Sequence, residues 1–152
     1  IKPVENANAE IRGLDSLDTK RVALVDQSKQ TDVNITQNSF KVDSLSLINV
    51  EEYQPNYIKY KTNNSNDGFV VFSEIYYPKG WKATIDGKAA EFTRVNYILR
   101  GMTVPAGAHT IEFTFNPEVV KTGSSISLAS SVLLGILLVS GLFFEFKTRR
   151  SA

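Results

Sequence analysis

The residues with the most chemistry in this chain are polar and aromatic and lie close together: Glu74, Tyr76, Tyr77, Trp81, Arg94, Asn96, Tyr97 and Arg100. Aromatic faces flanked by hydrogen-bonding groups are what sugar-binding surfaces use, so this set is a candidate glycan-binding surface. The competing assignment is plainer and preferred. Trp81 and the tyrosines fill a core, and Glu74 pairs with Arg94 or Arg100 across strands. Other chemistries have less to work with. A serine triad would need His109, the one histidine, which sits two residues past Gly107 at the entry to a strand. Glu74 and Asp86 are the carboxylates near the aromatic stretch, and Asp86 is accounted for by a turn, so a glycosidase pair is not expected. With no cysteine and a single histidine, thiolate and multi-histidine metal sites are excluded. No phosphate-cradling glycine loop or zinc-protease motif occurs, and no cofactor is expected. Asn34-Ile35-Thr36 and Asn63-Asn64-Ser65 match the N-glycosylation pattern, which is short enough to arise by chance.

The stretch that must position the candidates is Gly68–Pro117, which reads as five successive strands. Phe69–Tyr77 is nearly continuous in apolar and aromatic residues, the pattern of a strand covered on both faces. After Pro78-Lys79-Gly80, Trp81, Ala83 and Ile85 point one way while Lys82, Thr84 and Asp86 point the other. Asp86-Gly87 supplies a tight hairpin turn. The chain returns through Ala90, Phe92 and Arg94 and runs out along Tyr97–Arg100. Pro105-Ala106-Gly107 makes a further turn. The last strand puts Ile111, Phe113 and Phe115 inward and Thr110, Glu112 and Thr114 outward.

Upstream, residues 1–20 read as a polar lead-in with a short helical turn near Ala9–Leu14. Strands are expected at Arg21–Asp26, Val33–Phe40, Ser44–Tyr53 and Asn56–Thr62, with loops at Gln27–Asp32 and Asn63–Gly68. The expectation is a mainly β domain over residues 21–117, an antiparallel β-sandwich of jelly-roll or immunoglobulin-like type with about nine strands. At 152 residues the chain is long enough for one such core.

From Gly123 to Phe144 no residue is charged. As a helix, Ile126–Phe144 spans roughly 29 Å, close to the hydrocarbon thickness of a bilayer. A transmembrane helix is therefore expected over residues 123–146, followed by a basic tail, 147–152. Lys147, Arg149 and Arg150 place that tail in the cytoplasm by the positive-inside rule, and the β-domain outside. Gly123, Ser127, Ser131 and Gly135 recur every four residues, a strip of small side chains suited to packing against another helix. Residues 1–122 carry 14 Lys and Arg against 15 Asp and Glu, so nothing resembles a nucleic-acid footprint. The chain opens at Ile1 with neither an initiator methionine nor a signal peptide. An outside domain then requires an earlier membrane segment or a removed leader, so a fragment of a larger protein is expected. The alternative is a tail-anchored protein with a cytosolic β-domain.

The series FSEIYYPKGWKATIDGK, then RVNYILRGMTVPAGAHTIEFTFNP, then a closing hydrophobic helix resembles the C-terminal end of the YfhO family of bacterial membrane proteins. The upstream VENANAEIRGLDSLDTKRVALVD is similar to the segment that introduces this domain there. The resemblance covers nearly the whole chain. It implies a parent protein of the kind that uses lipid-linked sugars, a multi-spanning glycosyltransferase acting on cell-envelope glycopolymers. The catalytic carboxylate of such enzymes lies in an early extracytoplasmic loop, so the resemblance gives this chain no catalytic residue. The expected role is that of a non-catalytic accessory domain and membrane anchor in the bacterial cytoplasmic membrane. Its partners would be the lipid bilayer, the remaining transmembrane bundle and an envelope glycan or lipid-linked sugar. A purely structural domain of a non-enzymatic membrane protein, such as a transport component, is the alternative.

Overall fold

The computed structural model describes residues 1–28, 38–41 and 44–150, which form two compact units, Ile1–Asn116 and Pro117–Ala152. The first is mainly antiparallel β, as the alternation in the sequence leads one to expect. Among the described residues it contains ten strands: β1 (Lys2–Val4), β2 (Leu24–Asp26), β3 (Leu47–Gln54), β4 (Tyr57–Asn64), β5 (Gly68–Ile75), β6 (Trp81–Ile85), β7 (Lys88–Ala90), β8 (Thr93–Val95), β9 (Leu99–Val104) and β10 (Gly107–Phe115). Of the strand expected at Val33–Phe40, positions 33–37 lie outside the described residues, and 38–40 are not in a strand. Most of the loop expected at Gln27–Asp32 also lies outside them.

Five strands pair in the order β3-β4-β10-β6-β7 and three in the order β5-β9-β8. One core joins the two sheets. Ile58 and Tyr60 (β4), Ala83 (β6), Ile111 and Phe113 (β10) meet Phe72 (β5), Met102 and Val104 (β9). Phe113 is the hub, edge-on to Phe72 at 5.0 Å and to Phe92 at 5.5 Å. Its strand shows the expected alternation: Ile111 and Phe113 are fully buried while Thr114 is exposed. The β6–β7 hairpin turns through Asp86 (φ 51°) and Gly87 (φ 76°), the left-handed pair whose twist suits a two-residue connection.

The lead-in segment, residues 1–20, is built into this unit. Asn6 caps α1 (Ala7–Gly13), its Oδ1 accepting from the Ala9 N–H at 3.0 Å. β1 pairs in parallel with β2, and the Lys2 N–H donates to the Ala23 carbonyl at 2.8 Å. The strand expected from Arg21 begins at Leu24, and the one expected from Ser44 begins at Leu47. Tyr97, expected inside a strand, lies in the turn joining β8 to β9. Asn96 (φ 48°) and Tyr97 (φ 73°) both adopt the left-handed conformation there.

The strand registers give the sandwich two different ends. At one lie Asn64–Gly68, Asp86-Gly87 and Pro105–Gly107, set together by the pairings of Gly107 with Asn64 and Gly68 with Val104. At the other lie Pro55-Asn56, Tyr76–Gly80 and the 96–98 turn, together with the end of β10. There the Phe115 N–H donates to the Asn56 carbonyl, the Asn116 N–H to that of Gly80, and the Tyr76 N–H to that of Ile98.

The second unit is the helix α2 (Glu118–Arg150). Its portion Glu118–Phe143 is long and apolar enough to cross a membrane, and no residue of its most apolar part is buried. Four serine hydroxyls along it donate back to carbonyls four residues earlier, among them Ser131 to Ser127 at 2.9 Å. Polar side chains are thereby satisfied within the helix, as a hydrocarbon environment demands. Gly123, Ser127, Ser131 and Gly135 are all exposed, and nothing meets a Cβ built on either glycine.

Candidate functional site

Seven of the eight candidate residues fall into two clusters, each centred on one arginine, and Glu74 faces a groove beside them. The first joins α1, β2 and β8. Glu10 is fully buried, and its partner Arg94 lies 84 positions away in the sequence. The Arg94 Nη2 stands 3.1 Å from the Glu10 carboxylate and 3.1 Å from the Asp26 carboxylate. Its Nη1 donates to the Tyr97 carbonyl, and its guanidinium lies 5.6 Å from the Tyr97 ring centroid. The Tyr97 N–H in turn donates to the Glu10 Oε1 at 2.9 Å. Glu10 Oε2 faces Arg94 as an ion pair without hydrogen-bond geometry. Burial pushes the Glu10 carboxyl above its usual range, opposed by the Tyr97 N–H and the Arg94 charge. Asn96 completes the cluster. Its side-chain oxygen accepts from the Leu24 N–H at 2.8 Å and its own N–H donates to the Leu24 carbonyl at 2.9 Å. This pattern explains the left-handed backbone at 96 and 97. The Asn96 side chain and the N–H groups of Asn96 and Tyr97 are aimed inward at once, holding the N-terminal segment to the sandwich.

The second cluster surrounds Arg100, whose side chain is buried beneath aromatic rings. The guanidinium carbon lies 4.3 Å from the Trp81 centroid, 5.2 Å from Phe113 and 6.0 Å from Phe92. Its Nε donates to the Ile75 carbonyl at 2.8 Å, where β5 and β9 slip register. Its Nη1 is buried without a hydrogen-bond partner. Burial lowers the Arg100 pKa, and the nearby Glu74 charge opposes the shift. Trp81 is half-buried, 5.3 Å from Phe115; Tyr76 meets Phe92 edge-on at 5.6 Å; Tyr77 lies 6.3 Å from Phe115 and is half exposed. Most of the aromatic surface read from the sequence is thus turned onto its own neighbours.

Glu74 points to a different neighbour, Tyr53. The Tyr53 hydroxyl hydrogen-bonds the Glu74 carboxylate, which raises the phenol's pKa. Beside them a groove of about 290 Å³ opens between β3 and β5, lined by Val50, Tyr53, Tyr60, Phe72, Ser73 and Glu74. Tyr60, buried at its floor, has its pKa pushed up to about 12 by burial. Sequence reasoning did not single out Tyr53, Tyr60, Glu10 or Asp26. The alternation Ile58-Tyr60-Thr62 marks Tyr60 as inward, but Glu10 and Asp26 carry no such local signal.

His109 forms a separate latch at the polar end. Its Nδ1 lies 2.6 Å from Asp86 Oδ2 and its Nε2 3.0 Å from the Ala106 carbonyl, while the Thr110 N–H donates to Asp86 Oδ1 at 2.9 Å. This arrangement ties two turns together and serves the fold. Among the described residues, no group of three or more histidine, aspartate or glutamate side chains is placed to hold a metal ion.

The family model for the bacterial membrane protein YfhO matches residues 16–127. An uncharacterized protein YfhO of Bacillus subtilis (strain 168) is 27% identical over 114 residues, which is 75% of this chain and 13% of that relative. The chain therefore spans a small part of the curated relative it matches. No solved structure matches it. With its long apolar helix, it belongs to the YfhO family of bacterial membrane proteins.

Proposed function

We propose that this chain is a non-catalytic, membrane-anchored accessory domain of a longer YfhO protein, facing the outside of the cytoplasmic membrane. The longer protein would transfer sugars from lipid-linked donors to cell-envelope glycopolymers, the activity that the family resemblance implies. One observation carries the accessory reading: both arginines of the candidate set are committed to internal contacts. Arg94 holds Glu10 and Asp26, and Arg100 is enclosed by Trp81, Phe92 and Phe113. Such a domain suits bracing a catalytic bundle better than reacting with substrate. The basic residues at the end of α2 support a cytoplasmic C-terminus.

The test is made in the longer protein. Glu74→Gln and Asp86→Asn should each leave sugar transfer from a lipid-linked donor within a few-fold of normal. Removing a general acid or base costs roughly 10²–10⁴ in rate. A loss of that size in a folded variant would move catalysis into this domain.

A second reading has one observation in its favour, the groove beside Glu74. Tyr53 is 63% exposed there, next to a carboxylate, an arrangement that suits stacking and hydrogen bonding of a sugar ring. If the groove binds acceptor glycan, Tyr53→Ala should weaken acceptor binding without lowering the melting temperature.

A further inference from the structure

The two ends of the sandwich differ in their turns. The turns at the first end are built from Asn63-Asn64-Ser65-Asn66-Asp67-Gly68, Asp86-Gly87 and Pro105-Ala106-Gly107, with no large apolar residue among them, although the start of β3 beside them exposes Leu47 (62%) and Ile48 (41%). At the other end Ile75 is 67% exposed, Ile98 50%, Tyr77 49% and Tyr97 37%. These four are neighbours through the backbone. Ile75 pairs with Leu99, beside Ile98, and the Tyr76 N–H donates to the Ile98 carbonyl at 2.7 Å. Lys79 lies exposed in the adjoining loop. Apolar side chains grouped in and beside two turns that are bonded together, unlike scattered ones, mark a surface that meets something.

The same end is where the chain leaves the unit. β10 finishes at Phe115, which packs against Trp81 and Tyr77, and Asn116 is bound to the Gly80 carbonyl. Only Pro117–Lys121 then precede the uncharged stretch of α2. Five residues reach at most about 18 Å even when fully extended. The strands carry the polar end roughly 25 Å or more farther along the sandwich. A bilayer crossed by α2 therefore lies within reach of the apolar end.

We infer that Ile75, Tyr77, Tyr97 and Ile98 form a membrane-docking face that seats the β-domain on the lipid surface. Tyrosines suit this position because ring and hydroxyl divide between acyl chains and water, and a lysine beside them meets lipid phosphates. The inference holds on either side of the membrane and for any reaction of the longer protein. It requires that α2 crosses the bilayer.

The absence of native cysteine makes the test direct. Tyr77→Cys, Ile98→Cys, Ser65→Cys and Leu134→Cys, made singly, are labelled with an environment-sensitive nitrobenzoxadiazole dye. The full chain is reconstituted into phosphatidylcholine–phosphatidylglycerol vesicles containing a nitroxide lipid quencher. Labels at 77 and 98 should be blue-shifted and quenched several-fold more strongly than at 65, and the label at 134 should confirm an inserted helix. Quenching at 77 and 98 no stronger than at 65 would overturn the inference, as would an unquenched label at 134. Loss of quenching at 77 and 98 in the longer protein, with 134 still quenched, would assign the face to a protein neighbour and overturn it too.

Discussion

Arg94 and Arg100 flank the same turn but occupy opposite environments. Arg94 lies between two carboxylates at 3.1 Å each, whereas the Arg100 guanidinium stacks 4.3 Å from the Trp81 ring and leaves its Nη1 without a partner. One arginine neutralises buried negative charge. The other is a buried cation held chiefly by aromatic faces and a single carbonyl.

This difference separates two otherwise identical substitutions. Arg94→Met strands Glu10 and Asp26 without their cation, and the loss should be about 3–5 kcal/mol. Arg100→Met removes an unpaired buried charge, fills similar volume and loses one bond to the Ile75 carbonyl, so stability should stay within about 1 kcal/mol of the native value. Denaturant melts of the two variants, followed by far-ultraviolet circular dichroism, give the comparison. Equal losses would mean that Arg100 has a partner equivalent to the carboxylates.

Trp81 is expected to act in packing. Trp81→Ala uncovers Arg100 and opens space beside Phe115, and should cost about 3 kcal/mol, the low end for a large aromatic because Trp81 is only half-buried. Gly80→Ala is an independent check on the same contact. A Cβ there would fall 2.2 Å from the Phe115 ring, and the ring's displacement should cost about 1–3 kcal/mol. A Trp81→Ala chain that keeps its melting temperature would contradict the core assignment and favour a ligand platform.

Much of this architecture is legible in the sequence where the signal is local. The Ile111-Phe113-Phe115 alternation, the Asp86-Gly87 turn and the uncharged run after Gly123 each state their structure within a few residues. The arginine clusters are not legible that way. Glu10 sits in a polar stretch that reads as a lead-in, and its burial is decided by Arg94 and the Tyr97 N–H, contacts made only when the chain returns. Tyr97 reads as strand because it is aromatic and two aliphatic residues, Ile98 and Leu99, follow it. Its left-handed backbone comes from the inward hydrogen bonds of Asn96 and Tyr97, a tertiary demand that overrides strand propensity. The set Glu74, Trp81, Arg94 and Arg100 is close in sequence, yet the fold divides its arginines between two clusters and turns Glu74 to Tyr53.

The His109–Asp86 latch should give stability a definite pH window. The bond to Asp86 raises the His109 pKa above 6.5, so its contribution is complete below 6.5 and fades as pH rises through the raised value. The Asp86 pKa is held below 3.8, chiefly by the Thr110 N–H and then by His109. Its contribution is present above 3.8 and is lost as pH falls through the lowered value. His109→Gln should therefore lower the melting temperature most near about pH 5.5, with the gap narrowing towards about pH 9. A gap that widens with rising pH would contradict the charged latch.

The small-residue strip on α2 yields a prediction for the longer protein. If Ser127, Ser131 and Gly135 pack against another membrane helix, Ser131→Leu combined with Gly135→Leu should lower that protein's yield or activity. The melting of the β-unit should not change. Normal yield and activity would leave α2 as an anchor alone.

The proposed role needs a β-domain held outside the membrane by a helix whose basic end lies in the cytoplasm. Single cysteines at Ser65 and Ser151 of the longer protein, in intact cells, test it with a membrane-impermeant thiol reagent. Labelling at 65 and protection at 151 until the membrane is permeabilised are expected. Labelling at 151 with protection at 65 would reverse the orientation and contradict the proposed role at the outer face.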